Sequence, residues 1–139
     1  MRYWDSSALV HLAVKQAAPY DVRPLLAEDD DLTTCWLTRV ECWSALARLR
    51  RRGGLSDEGE RDALRRLDAV YADVSEVLLT EPLRGLAGRL LRTHELRAGD
   101  AVQLAAALLW AQHVGDPVLV SLDRRLAQAA TLEGLRVLP

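Results

Sequence analysis

A single α/β domain built on a parallel sheet is the architecture this sequence predicts, and three observations predict it. Short runs of β-branched, aromatic and aliphatic residues alternate with longer stretches of helical periodicity along the whole chain. The 139 residues are half apolar, which suffices for one compact core spanning 1–139. No repeat or linker-like segment divides them.

The elements follow in order. Arg2-Tyr3-Trp4 predicts a first strand, and Ser6 or Ser7 can cap a helix carrying Leu9, Val10, Leu12 and Ala13. Pro19 to Glu28 suggests a short helix, ended by the acidic turn Asp29-Asp30-Asp31. Leu32 to Trp36, rich in β-formers, predicts a second strand. Thr38 opens the next helix with Glu41 three positions on, the spacing of a capping box, and Gly53-Gly54 stops it. Ser56 starts a helix with Ala63, Leu64, Leu67, Val70 and Tyr71 on one side. Val74 to Leu79 reads as a strand, and Pro82 begins a helix over 83–92. Asp100 to Gln112 is Ala/Leu-rich and apolar on several sides, so it is expected to be central. Residues 117–122 predict a strand, 126–132 a helix and 135–138 a final edge strand.

Composition excludes several functions. Eighteen basic residues, of which only Lys15 is lysine, face 20 acidic ones; net −2 argues against indiscriminate binding of nucleic acid over the whole surface. The longest apolar stretch, Leu104 to Ala111, falls far short of the roughly 20 residues that cross a bilayer. Asp5 interrupts the N-terminus, so no signal peptide is expected; the chain reads as cytoplasmic, with no membrane partner. Cys35 and Cys42 form no CxxC pair, and His11, His94 and His113 have no ligand spacing with them. Two buried, reduced thiols are expected rather than a zinc site.

In open parallel sheets the ligand crevice lies beyond the carboxyl ends of the strands. Asp5 directly follows the first strand and Asp123 the strand Val118-Leu119-Val120, so topology aims both carboxylates at one edge. Glu41 stands early in an otherwise apolar helix, with Ser44, Ala45, Arg48 and Arg52 along its side; Asp100 follows Gly99 at the start of the most apolar helix. Taken singly, Asp5 and Asp100 read as helix-start acids favoured by the macrodipole, Glu41 as the second half of its capping box, and Asp123 as a cap on Arg124-Arg125-Leu126. Gathered in one crevice, the four would repel strongly, and a hard divalent cation such as Mg²⁺ or Mn²⁺ resolves that repulsion.

At these residues the sequence resembles the PIN-domain ribonucleases, and within them the VapC-type toxins of toxin–antitoxin pairs. The resemblance rests on Tyr3-Trp4-Asp5-Ser6-Ser7-Ala8-Leu9-Val10, Thr38-Arg39-Val40-Glu41, Gly99-Asp100-Ala101-Val102-Gln103-Leu104-Ala105 and Val120-Ser121-Leu122-Asp123-Arg124-Arg125-Leu126. The four pieces stand in the family's order and span nearly the whole chain. The resemblance implies a three-layer sandwich whose central, mostly parallel sheet is flanked by helices. It also implies metal-dependent endonucleolytic hydrolysis of single-stranded or loop RNA by a metal-activated water, leaving a 5′-phosphate and a 3′-hydroxyl. By the same resemblance Asp5 and Asp100 are the direct metal ligands, while Glu41 and Asp123 hold metal-bound water or a second ion. Ser6 and Ser121 lend supporting hydrogen bonds. A homodimer and a VapB-type antitoxin are the implied partners.

Arg48, Arg50, Arg51 and Arg52 read either as a solvated helix end or as contacts for phosphate or an acidic antitoxin segment. Arg97, Arg124 and Arg125 are candidates to frame the crevice. Trp36, Trp43 and Trp110 read as core or interface, and Trp4 as packing beneath the site. A phosphatase is disfavoured because Ser7 stands where an Asp-x-Asp pair needs its second acid, and a receiver domain because Lys15 comes too early. A catalytically silent PIN-like protein-binding module is the alternative.

Overall fold

The structure, a computed structural model, describes residues 1–14 and 20–139. Among these, five strands run β1 (Arg2–Trp4), β2 (Leu32–Cys35), β3 (Ser75–Val77), β4 (Val118–Val120) and β5 (Arg136–Leu138). Seven helices join them: α1 (Ser6–Ala13), α2 (Arg23–Glu28), α3 (Thr38–Arg51), α4 (Asp57–Val70), α5 (Glu81–Thr93), α6 (Ala98–Ala111) and α7 (Arg124–Leu132). The strand order is β3-β2-β1-β4-β5, and every pairing is parallel, so the sheet is wholly rather than mostly parallel. Each strand returns through helical crossovers, and that connection favours parallel pairing.

Successive strand residues point to opposite faces of a sheet, and here they split the core in two. Tyr3, Cys35 and Leu119 pack with Leu83, Leu90, Leu104 and Leu126 of α5, α6 and α7. Trp4, Leu32 and Val120 pack with Leu9, Leu46 and Leu67 of α1, α3 and α4. The result is three layers, helices on sheet on helices. As expected, α6 is central, with seven buried residues. Both cysteines are free and buried; burial pushes the Cys35 thiol up to about 11 and the Cys42 thiol up to about 12.

The helix starts depart from the sequence reading at two places. The cap of α1 is Asp5, not Ser6 or Ser7: β1 delivers residue 5 in extended backbone, and its carboxylate accepts from Ala8 N–H. Thr38 is the first helical residue of α3 rather than its cap, and the N-cap Leu37 makes no side-chain capping bond. Glu41 therefore closes no capping box. Ser56 does cap α4, accepting from Gly59 N–H at 3.0 Å. Gly53, at φ 77°, supplies the left-handed turn that ends α3. The predicted helix over Pro19 to Glu28 is found as α2, while Pro19 itself lies outside the described residues.

Of the three tryptophans read as core or interface, two stand outside the core. Trp36 and Trp43 are 49% and 45% exposed, because they stand on the outer side of the β2–α3 turn and of α3. Arg39 lies over the Trp43 ring, 5.4 Å from its centroid. Trp4 and Trp110 are buried, Trp110 tilted against Tyr3 with ring centroids 5.8 Å apart.

Candidate active site

The chain leaves β1 to build β2 and β3 on one side, then crosses to build β4 and β5 on the other. That reversal puts a topological switch point between β1 and β4, where the crevice of an open parallel sheet lies. Trp4 is in register with Val120, and Asp5 N–H donates to Val120 carbonyl at 3.2 Å, so the two strands release their next residues side by side.

A cavity of about 570 Å³ opens there, lined by Asp5, Glu41, Asp100 and Asp123 together with Arg48 and Arg97. All four sequence-predicted acids thus come to one place, Asp5 and Asp123 as the N-caps of α1 and α7, Glu41 from α3 and Asp100 from α6. Ser6 and Ser7 share the lining, as do Ser44 and Ala45 from the predicted side of α3. Arg52 does not line it. Arg50 bonds Glu60 at 2.7 Å and Asp57 at 3.3 Å, which makes it a strut between α3 and α4. Arg124 faces a neighbouring cavity of about 360 Å³ that shares Asp123, and Arg125 faces a third beside His94.

Each acid is held differently. Asp5 is 3% exposed, and burial pushes its carboxyl up to about 7. The Ser7 hydroxyl, donating at 2.7 Å, and the Ala8 N–H at 3.3 Å pull it back, while the charge of Asp123 adds to the rise. Glu41 is raised by burial and by Asp100, and steadied by Gln103 Nε2 at 2.6 Å and by Ser6. Asp100 accepts from Arg97 N–H at 3.2 Å, capping α6. Asp123 accepts from Arg125 and Leu126 N–H groups at 2.8 and 3.0 Å, capping α7. Ser121 is buried, and its Oγ accepts from Asp123 N–H at 3.1 Å, which fixes the short exit loop after β4.

The acids are oxygen donors of the kind that hard divalent cations take. Their surplus negative charge, with Asp5 buried, is what a cation relieves, so the residues fit such an ion in charge and donor chemistry. Among the described residues, however, no three Asp, Glu, His or Cys side chains are drawn together into a closed metal-binding group. Two residues escaped the sequence reading of the site. Ser7 holds Asp5, and Gln103, one helical turn beyond Asp100, holds Glu41. The i+3 spacing of Gln103 from Asp100 was the available signal.

The chain is 37% identical over 139 residues to Ribonuclease VapC45 and to Ribonuclease VapC49 of two Mycobacterium tuberculosis strains, covering 99% of this chain and 94% of each relative. Its fold is similar to that of VapBC2 from Rickettsia felis, solved bound to a DNA fragment from its promoter, with a TM-score of 0.66 at 14% identity over 99% of this chain and 98% of that one. The PIN domain model matches residues 2–132, and the chain belongs to the PIN-domain family.

Proposed function

We propose that the chain is a metal-dependent endoribonuclease, the toxin of a type II toxin–antitoxin pair, whose partner is a VapB-type antitoxin. One observation carries the reading: four carboxylates from four distant segments line a single cavity flanked by Arg48 and Arg97. Relatives named as ribonucleases support it. Asp5 and Asp100 would hold Mg²⁺ or Mn²⁺ directly, with Glu41 and Asp123 taking coordinated water or a second ion. Such an ion, when bound there, would supply Lewis acidity toward a phosphoryl oxygen and toward water.

The rest is the work of the chain's own residues. Arg48 and Arg97 offer guanidinium donors to the phosphate backbone. Ser7 and Ser6 keep Asp5 and Glu41 turned as acceptors. Exposed Trp36, Val40 and Trp43, with Leu78 and Leu79 beyond the neighbouring strand, supply apolar surface for pairing with a second copy.

The test is cleavage of single-stranded RNA by purified protein with Mg²⁺ or Mn²⁺. Asp5→Ala and Asp100→Ala are expected to lower the rate by about 100-fold or more while the proteins stay folded. Equal cleavage by wild type and either variant, with contaminating nuclease excluded, sinks the mechanism. Mapping the cut ends identifies the RNA, and a small neighbouring frame encoding a DNA-binding protein identifies the antitoxin.

A further inference from the structure

The side chain of Gln103 is 2% exposed and joins three elements without lining the cavity itself. Its Oε1 accepts from the Tyr3 hydroxyl at 2.9 Å, and its Nε2 donates to Thr38 Oγ1 at 2.7 Å and to Glu41 Oε2 at 2.6 Å. Counting hydrogens shows that this orientation is the one the surroundings permit. A primary amide has two N–H bonds, and each has an acceptor; a phenol has one O–H, and it meets the amide oxygen. Thr38 Oγ1 also accepts from Cys35 N–H at 3.2 Å, so both its lone pairs are taken. Its own hydrogen is left for Thr34 Oγ1, 2.7 Å away, and Thr34 gives its hydrogen to the Trp4 carbonyl at 2.7 Å. Turning the amide over would set Oε1 against the Glu41 carboxylate and Nε2 against the Tyr3 O–H. The first contact would set acceptor against acceptor in a place where water cannot intervene, and the Tyr3 hydrogen would lose the oxygen it meets.

We infer that Gln103 is a positioning residue for Glu41, and that Tyr3, 100 residues away in sequence, locks the amide that does the positioning. The network ends at Glu41 Oε2 as an acceptor, which leaves Oε1 as that carboxylate's other oxygen for the cavity. A Cβ added at Gly99 would meet Oε1 at 2.6 Å, so this oxygen lies against the start of α6, beside Asp100. A carboxylate held at one oxygen by Gln103, and steadied also by Ser6, suits a group that must keep one orientation toward a cation or its water.

This role rests on the metal-dependent reading of the site, and the closing experiment separates the two. Mn²⁺ binding to the purified full chain is measured by calorimetry without RNA, alongside kcat and KM for RNA cleavage. Gln103→Met, similar in volume and without the amide, is expected to weaken Mn²⁺ binding by about 10–100-fold and to lower kcat with KM little changed. Tyr3→Phe, which removes one oxygen and keeps the ring, is expected to shift both in the same direction by a smaller factor. A wild-type chain that takes up no Mn²⁺ overturns the metal-dependent function and this role with it. A wild type that binds Mn²⁺, matched by Gln103→Met in affinity and kcat whatever its melting temperature, overturns the role alone. Should Gln103→Met not fold, Tyr3→Phe decides, and wild-type Mn²⁺ affinity in that variant overturns the role.

Discussion

The hydroxyl of Ser7 donates to Asp5 Oδ1 at 2.7 Å while its oxygen accepts from Leu122 N–H at 2.8 Å. One side chain thereby ties the acid after β1 to the exit loop after β4, the two sides of the switch point. Ser7→Ala leaves the Leu122 amide without that partner in a half-buried place. The expected cost is about 1–2 kcal/mol of stability, read by urea denaturation at pH 7. The same change removes a bond that lowers the Asp5 titration, so Mn²⁺ uptake should require higher pH than in wild type.

Asp5 gives stability a pH dependence of definite sign. Its carboxyl is raised from 3.8 to about 7 in the folded chain, so the native state holds a proton that the unfolded state has already lost. Without divalent cation, the Asp5 contribution to stability is fullest below about pH 4 and is lost as pH rises through 7. Asp5→Asn keeps an oxygen for Ser7 and removes the charge. It should match wild type near pH 4 and exceed it by about 1–4 kcal/mol at pH 8. Adding Mg²⁺ should raise the wild-type melting temperature and leave the variant's unchanged.

Gly99→Ala separates fold from site. The added methyl would press on Glu41 Oε1 at 2.6 Å, the far end of a flexible side chain that can swing aside. Alanine is also the better helix former. The melting temperature should hold or rise while RNA cleavage falls by about tenfold or more, since the Glu41–Gln103 bond is lost as the carboxylate moves. A variant with unaltered cleavage would show that Glu41 need not stay where it is.

Glu133 anchors the far side of the molecule, accepting two bonds from Arg89 at 2.7 and 3.1 Å and contacting His94 Nε2 at 2.7 Å. Arg89 and His94 hold its carboxyl down to about 2. Its contribution is present above pH 4.5 and is lost as pH falls toward 2. Solvent screening limits the magnitude, so Glu133→Gln should cost about 0.5–1 kcal/mol at pH 7 and less near pH 2, by thermal denaturation at each pH.

Two arginines of one helix should behave differently. Arg48 lines the acidic cavity and Arg52 does not. Arg48→Ala should raise KM for RNA several-fold and reduce the salt dependence of binding by about one phosphate contact, whereas Arg52→Ala should change neither. Binding measured over a range of salt concentrations checks both.

Much of this was legible in the chain itself. Alternating strand and helix patterns gave the layers and the parallel sheet, because burial on both faces of a sheet demands apolar strands and amphipathic crossovers. Asp5 and Asp123 could be assigned to one edge because each follows a strand and parallel strands all end on the same side. The helical repeat put Glu41, Ser44, Ala45 and Arg48 in a row, and the structure keeps that row along the cavity.

What no local pattern carries is contact between distant residues. The capping-box spacing of Thr38 and Glu41 was present, yet the turn after β2 starts the helix at Thr38 and a buried amide claims both side chains. Trp36 and Trp43 read as core or interface, and only the packing of the β2–α3 turn and of α3 on the sheet left them exposed. Sequence periodicity determined the elements and the edge to which the acids go, since both depend on neighbours along the chain. The partners that hold those acids, Ser7 for Asp5 and Gln103 with Tyr3 for Glu41, were decided by tertiary packing. Buried polar groups must be paired with whatever donors or acceptors the packed layers bring within reach, however far apart in sequence.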